Sequence, residues 1–133
     1  KIGFIGTGKI TSSVVTGISK SSIKYKKIII SSRNKIVSRN LKNSFKKISI
    51  EKNNQKIVDE CDWVFLSVTP IVGKKIIKDL KFRYNQTIVS FISTISILEL
   101  KRMIKVKSTI VRAIPLPPIS LKIGPVPICP PNK

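Results

Sequence analysis

Short apolar runs alternate along this chain with segments whose apolar residues recur every three or four positions. Ile2 to Ile5 is an apolar run of strand length; Ile10, Val14 and Ile18 then fall four residues apart, on one face of a helix. Ile28-Ile29-Ile30 is β-branched throughout, the texture of a strand buried on both sides. Ile36, Leu41 and Phe45 mark the next helix, and Ile48 to Ile50 a short third strand. Asn54 to Cys61 predicts a short helix with Ile57 and Val58 turned inward. "WVFLSV", Trp63 to Val68, is the strongest strand pattern, and Pro70 behind it suits the first position of a helix carrying Ile76, Ile77 and Leu80. "TIVSF", Thr87 to Phe91, predicts a fifth strand. Ser96 and Glu99 have the spacing of a capping box ahead of Leu100 and Met103, and "STIVRAI" supplies a sixth strand. Strands alternating with helical segments argue for an α/β fold, a doubly wound and mostly parallel sheet with flanking helices.

Beyond Ile114 the texture changes. Seven of the eight prolines fall between Pro115 and Pro131, which excludes regular helix or a central strand there. We therefore expect one domain over residues 1–114 and a proline-rich segment over 115–133. That segment either closes the domain by wrapping over its surface or leads toward a further one.

Chemistry enters at the first strand-to-helix junction. In Gly6-Thr7-Gly8 the first glycine permits a tight turn and the second lets a phosphate approach bare backbone, with the unpaired N–H groups of the following helix aimed at it. The alternative is an ordinary turn that happens to use glycine. Thr11 stands where the G-x-G-x-x-G/A pattern has its third small residue, a bulk expected to push helix and strand slightly apart. The second strand offers an independent check, because folds that bind dinucleotides place their specificity residue about 20 positions past the glycines. An NAD site carries an acid there. This chain reads Ser31-Ser32-Arg33-Asn34, hydroxyls, an amide and a guanidinium suited to a 2′-phosphate. Together these features predict a Rossmann-like domain that prefers NADP(H) to NAD(H).

Charge and composition narrow the rest. The 133 residues hold 26 Lys+Arg against 6 Asp+Glu, a formal net charge of +20. Such a balance attracts phosphates, nucleic acids or anionic membranes. The positive residues are mostly lysines scattered among isoleucines and asparagines, and aromatics are only 6%, so no specific nucleic-acid partner is expected. No apolar run approaches the roughly 20 residues of a membrane span. Histidine is absent, which removes Ser-His and Cys-His relays, and Cys61 and Cys129 lack the spacing of a zinc or redox pair. The chain begins at Lys1 with no apolar leader in view, so a cytoplasmic home is the simplest expectation.

Several spaced segments resemble the amino-terminal half of the pyrroline-5-carboxylate reductases, the enzymes that make proline. They are "IGFIGTGKI", "SSRN", Asn54 before a short helix, "CDWVFLSVTP", "IVSFISTISILEL" and "IVRAIPLPP". The resemblance covers nearly the whole chain and implies an NADP-binding Rossmann-like domain. In the family a helical domain follows, dimerises and completes the pocket for a cyclic imino acid, so a homo-oligomer is expected. It also implies that Gly6, Thr7, Gly8, Lys9 and Ile10 face the pyrophosphate, that Ser32, Arg33 and Asn34 hold the 2′-phosphate, and that Asn54, Val68, Thr69 and Pro70 line the adenosine side and the bridge toward nicotinamide. The departures cluster at the reacting ring: Thr69 stands for Lys, Thr94 for Gly, Leu116 for Asn and Pro117 for Thr. Other NADP-linked reductases on this fold, including deazaflavin-dependent ones, and a non-catalytic NADP-binding relative remain alternatives. No residue is identified as a proton donor.

Overall fold

The computed structural model describes residues 1–129. The chain runs β1 (Ile2–Ile5), α1 (Lys9–Ser19), β2 (Ile28–Ser31), α2 (Lys35–Ser44), β3 (Ile48–Glu51), α3 (Asn54–Glu60), β4 (Trp63–Leu66), α4 (Pro70–Asp79), β5 (Thr87–Ser90), α5 (Ile97–Ile104) and β6 (Thr109–Ala113). A 3-10 turn over Pro117–Leu121 and a two-residue strand, β7 (Ile128–Cys129), follow. The strands make one sheet in the order β3-β2-β1-β4-β5-β6-β7, with parallel pairing throughout except for antiparallel β7 on the β6 edge. The order reverses direction between β1 and β4, and in open sheets of this kind ligands sit at that reversal, beyond the carboxyl ends of the strands.

Two apolar layers hold the helices to the sheet. Val14 and Val15 of α1 and Leu41 of α2 pack with Phe4, Ile28, Ile30 and Ile48 on one face. On the other, Ile57 and Val58 of α3, Ile77 of α4 and Leu100 and Ile104 of α5 pack with Ile5, Ile29, Val64, Leu66 and Ile88. Alternate residues of a strand point to opposite faces, which is why Phe4 and Ile5 serve different layers although both are fully buried. The uniform isoleucines of β2 are needed because that strand is covered on both sides.

Three local readings are corrected. Ile36 does not belong to the inward stripe of its helix: it lies in the first turn of α2 and is 74% exposed, while Val37, Ser38 and Leu41 make the inner face. Phe45 is one residue past the helix end, in extended conformation, but still packs on the core. The fourth strand stops at Leu66 rather than Val68: the Ser67 N–H makes the last bond to β1, to the Ile5 carbonyl (2.8 Å), and the chain then bends away at Val68. The proline-rich segment folds back over the domain. Its 3-10 turn lies against α1 so closely that a side chain at Gly17 would meet the Ile119 carbonyl oxygen at 2.5 Å. β7 then adds the edge position that a proline-flanked strand can occupy. Pro130 and Pro131 lie outside the described residues.

Candidate functional site

The loop after β1 is built around Gly6. Its φ of +98° is one that L side chains rarely adopt, and a Cβ there would sit 2.0 Å from the Ser67 carbonyl oxygen, so the chain can pass over the end of β4 only with glycine. Buried hydroxyls fasten this turn to its surroundings. The Gly6 N–H donates to Ser31 Oγ at 2.9 Å, Thr7 Oγ1 donates to the Ser31 carbonyl, and Thr11 Oγ1 donates to the Gly6 carbonyl at 2.8 Å. Thr7, Thr11 and Ser31 are all buried. Thr11 therefore does more than add bulk: its hydroxyl supplies a donor to the turn it sits behind, where glycine or alanine supplies none.

Gly8 is different. It caps α1 with ordinary backbone angles, no side-chain cap bond and nothing within 4 Å of where a Cβ would lie. The first turn of α1 thus offers its N–H groups and the positive end of its dipole to open space. The α4 terminus, with Thr69 at its cap and Pro70 in its first turn, also lacks a side-chain cap. By contrast α2, α3 and α5 are capped by Asn34, Asn53 and Ser96. The two helices left open are those that flank the reversal between β1 and β4.

Between them lies a cleft of about 770 Å³, lined by the glycine loop, Arg33, Asn34, Lys35 and Ile36 on one side and by Ser67, Val68 and Thr69 on the other. A smaller cavity of about 250 Å³ adjoins it, sharing Gly6, Arg33 and Val68 and adding Ser32, Lys52 and Asn54. Arg33 lines both, is exposed, and among the described residues makes no hydrogen bond or ion pair. Asn34 has its carboxamide oxygen committed to the Val37 N–H (3.1 Å), leaving only its NH₂ to donate. Ser31, read with its neighbours as part of the phosphate nest, is instead turned into the glycine loop. Lys9, Ile10 and Pro70 line neither cavity; Lys9 is exposed at the start of α1, and Ile10 packs on the core. Lys35, Ile36, Lys52 and Ser67 are lining residues that sequence reasoning missed. In so lysine-rich a chain nothing marked two lysines out.

The open backbone at Gly8, the glycine-only turn before it and the cationic residues Arg33 and Lys35 in the same cleft fit a dinucleotide with an extra phosphate. Farther along the same edge of the sheet, the Arg112 guanidinium of β6 donates to the Ser93 carbonyl, tying down the loop that contains Thr94. Leu116 is half-exposed and Pro117 opens the 3-10 turn. Among the described residues no group of three or more His, Cys, Asp or Glu could hold a metal ion, and no helix is long and apolar enough to cross a membrane.

Residues 1–95 match the family model described as NADP oxidoreductase, coenzyme F420-dependent. No curated relative matches the sequence. Among solved structures, the 1-pyrroline-5-carboxylate reductase of Streptococcus pyogenes is 26% identical over 86% of this chain and 42% of its own, with a TM-score of 0.68. Plasmodium falciparum pyrroline carboxylate reductase, solved with NADP bound, is 21% identical over 98% of this chain and 48% of its own (TM-score 0.80). The Coxiella burnetii pyrroline-5-carboxylate reductase is 22% identical over 96% and 48% (TM-score 0.83). The chain spans less than half the length of each of these structures.

Proposed function

This chain belongs to the family of NADP oxidoreductases described as coenzyme F420-dependent, and on that footing we propose that it holds NADPH in the cleft for reduction of a cyclic imine, with 1-pyrroline-5-carboxylate giving L-proline as the preferred substrate. NADP(H) is the cofactor of the family. One observation carries the assignment of its place: the uncapped first turn of α1 at Gly8 opens into the same cleft as the unpartnered guanidinium of Arg33. The pyrophosphate meets the backbone N–H groups of that turn, the 2′-phosphate meets Ser32 and Arg33, and Asn54 and Val68 flank the adenosine. NADPH supplies the hydride when bound; the residues of this chain supply grip and orientation. The imino acid is held by a helical domain of the kind the family resemblance implies, through which the protein forms homo-oligomers.

Comparative titration with NADPH and NADH tests the cofactor half. NADPH should bind at least about tenfold more tightly, and Arg33→Ala should erase most of that preference while sparing NADH, since one charge-assisted contact accounts for a factor of that order. Equal affinity for both dinucleotides would remove the role of Arg33. The catalytic half is tested by NADPH oxidation on addition of pyrroline-5-carboxylate.

A second reading has the family description behind it: hydride exchange between NADP and a deazaflavin. Turnover with coenzyme F420 and none with the imine would establish it. Tight NADPH binding with no turnover of either would make this a non-catalytic binder, in keeping with the departures at Thr69, Thr94, Leu116 and Pro117.

A further inference from the structure

A second cavity, of about 540 Å³, opens at the other end of the sheet, beside the first residues of β1 and β4 and the loop from α1 to β2. Its walls are apolar, from Ile18, Ile23 and Phe65. Trp63, the chain's single tryptophan, lines it while 49% exposed. The indole is not loose. It stacks on Phe65 with centroids 6.4 Å apart and 23° between planes, and Phe65 stacks on buried Phe4 at 4.6 Å and 14°. A rigid, half-open aromatic plate is a place for another flat ring.

The charges around it do not cancel. Lys24 and Lys26 line the cavity, and among the described residues neither enters an ion pair. Lys1 Nζ is matched by Glu60 at 3.0 Å, and the one carboxylate in the lining, Asp62, is held by the Lys1 α-ammonium at 2.7 Å and faces Arg83 Nη2 at 3.8 Å. A third wall, the Tyr25 ring, already carries the Lys47 ammonium 5.3 Å from its centroid. The site therefore combines a stacking plate with two ammonium groups whose charge is unanswered.

We propose that this cavity binds a purine nucleotide, the base stacked on Trp63 and the phosphate held by Lys24 and Lys26. It is distinct from the cofactor cleft, which lies past the opposite ends of the same strands. A second copy of the chain is the rival occupant of so apolar a wall, but it would bring two surfaces of the same positive sign together in a molecule of net charge +20.

Because Trp63 is the only tryptophan, its fluorescence reports this cavity directly. AMP added to the protein should quench it saturably, adenosine should need at least about tenfold higher concentration, and Lys24→Glu with Lys26→Glu should weaken AMP by a similar factor. Arg33→Glu, in the other cleft, should leave the AMP response unchanged. Both lysines are exposed, and an unaltered circular dichroism spectrum of the double variant verifies its fold. Absence of saturable quenching overturns the proposal. So does quenching abolished by Arg33→Glu but not by the lysine changes, which would place AMP in the cofactor cleft, or quenching that tracks protein concentration instead of AMP, which would mark a self-association surface.

Discussion

Gly6 and Gly8 are two residues apart and do opposite jobs. Alanine at Gly6 would force its Cβ into the Ser67 carbonyl, so Gly6→Ala should cost more than about 2 kcal/mol of stability in a denaturant melt. Alanine at Gly8 meets nothing in the folded chain, and its cost should stay within about 1 kcal/mol, the scale of helix capping. Its Cβ would instead stand in the open space to which the proposed function assigns the pyrophosphate, so Gly8→Ala should weaken NADPH binding while the melt barely moves. If both variants lost stability equally, the open space at Gly8 would have no functional meaning. The cysteines divide in the same way. Burial raises the Cys61 thiol to about 11, so it should resist a thiol reagent at pH 8 while exposed Cys129 reacts, giving one fast equivalent per chain. Sequence alone located the glycines, whose pattern is local. It did not separate Ser31, the last residue of β2, from Ser32 just past it, because only the position of the neighbouring loop decides which hydroxyl meets it.

At the scale of elements, the capping box of α5 was legible because both partners lie within one turn. Ser96 Oγ accepts from the Glu99 N–H at 3.2 Å, and the Ser96 N–H donates to Glu99 Oε2 at 2.9 Å. Ser96→Ala should cost about 1 kcal/mol, read from the melting curve. The bond from the Ser96 backbone holds the Glu99 carboxyl below its ordinary value, so this cap contributes above the unfolded carboxylate range and is lost as pH falls through the lowered folded value. The difference between wild type and Glu99→Ala should therefore shrink on acidification; a difference constant down to pH 2 would contradict it. The stripe of α2 was misread at Ile36 because a hydrophobic residue in a first turn satisfies the helical period equally well whether it faces the core or, as here, a cleft. The sixth strand needed no long-range knowledge, whereas β7 did: two residues between prolines carry no period, and only pairing with Arg112 and Ala113 makes them a strand.

For the molecule as a whole, charge is the dominant imbalance. With a net charge of +20 the folded state repels itself, and added salt screens that repulsion over a Debye length of about 10 Å at 0.1 M. The melting temperature should rise as salt is increased from low ionic strength; a fall would mean that the four ion pairs among the described residues outweigh the repulsion. Sequence by itself determined the alternation of strands and helices, the glycine turn and the basic stretch after the second strand. Each of these is written in the spacing of near neighbours and the allowed angles of single residues. Tertiary structure alone decided that β1 and β4 lie side by side and that Arg33 faces the open end of α1. It also brought Lys52 to the same cavity and left Trp63 uncovered at the far end of the sheet. Those facts join residues tens of positions apart, and the free energy that joins them comes from burying both faces of one sheet, a quantity no local window of the chain contains.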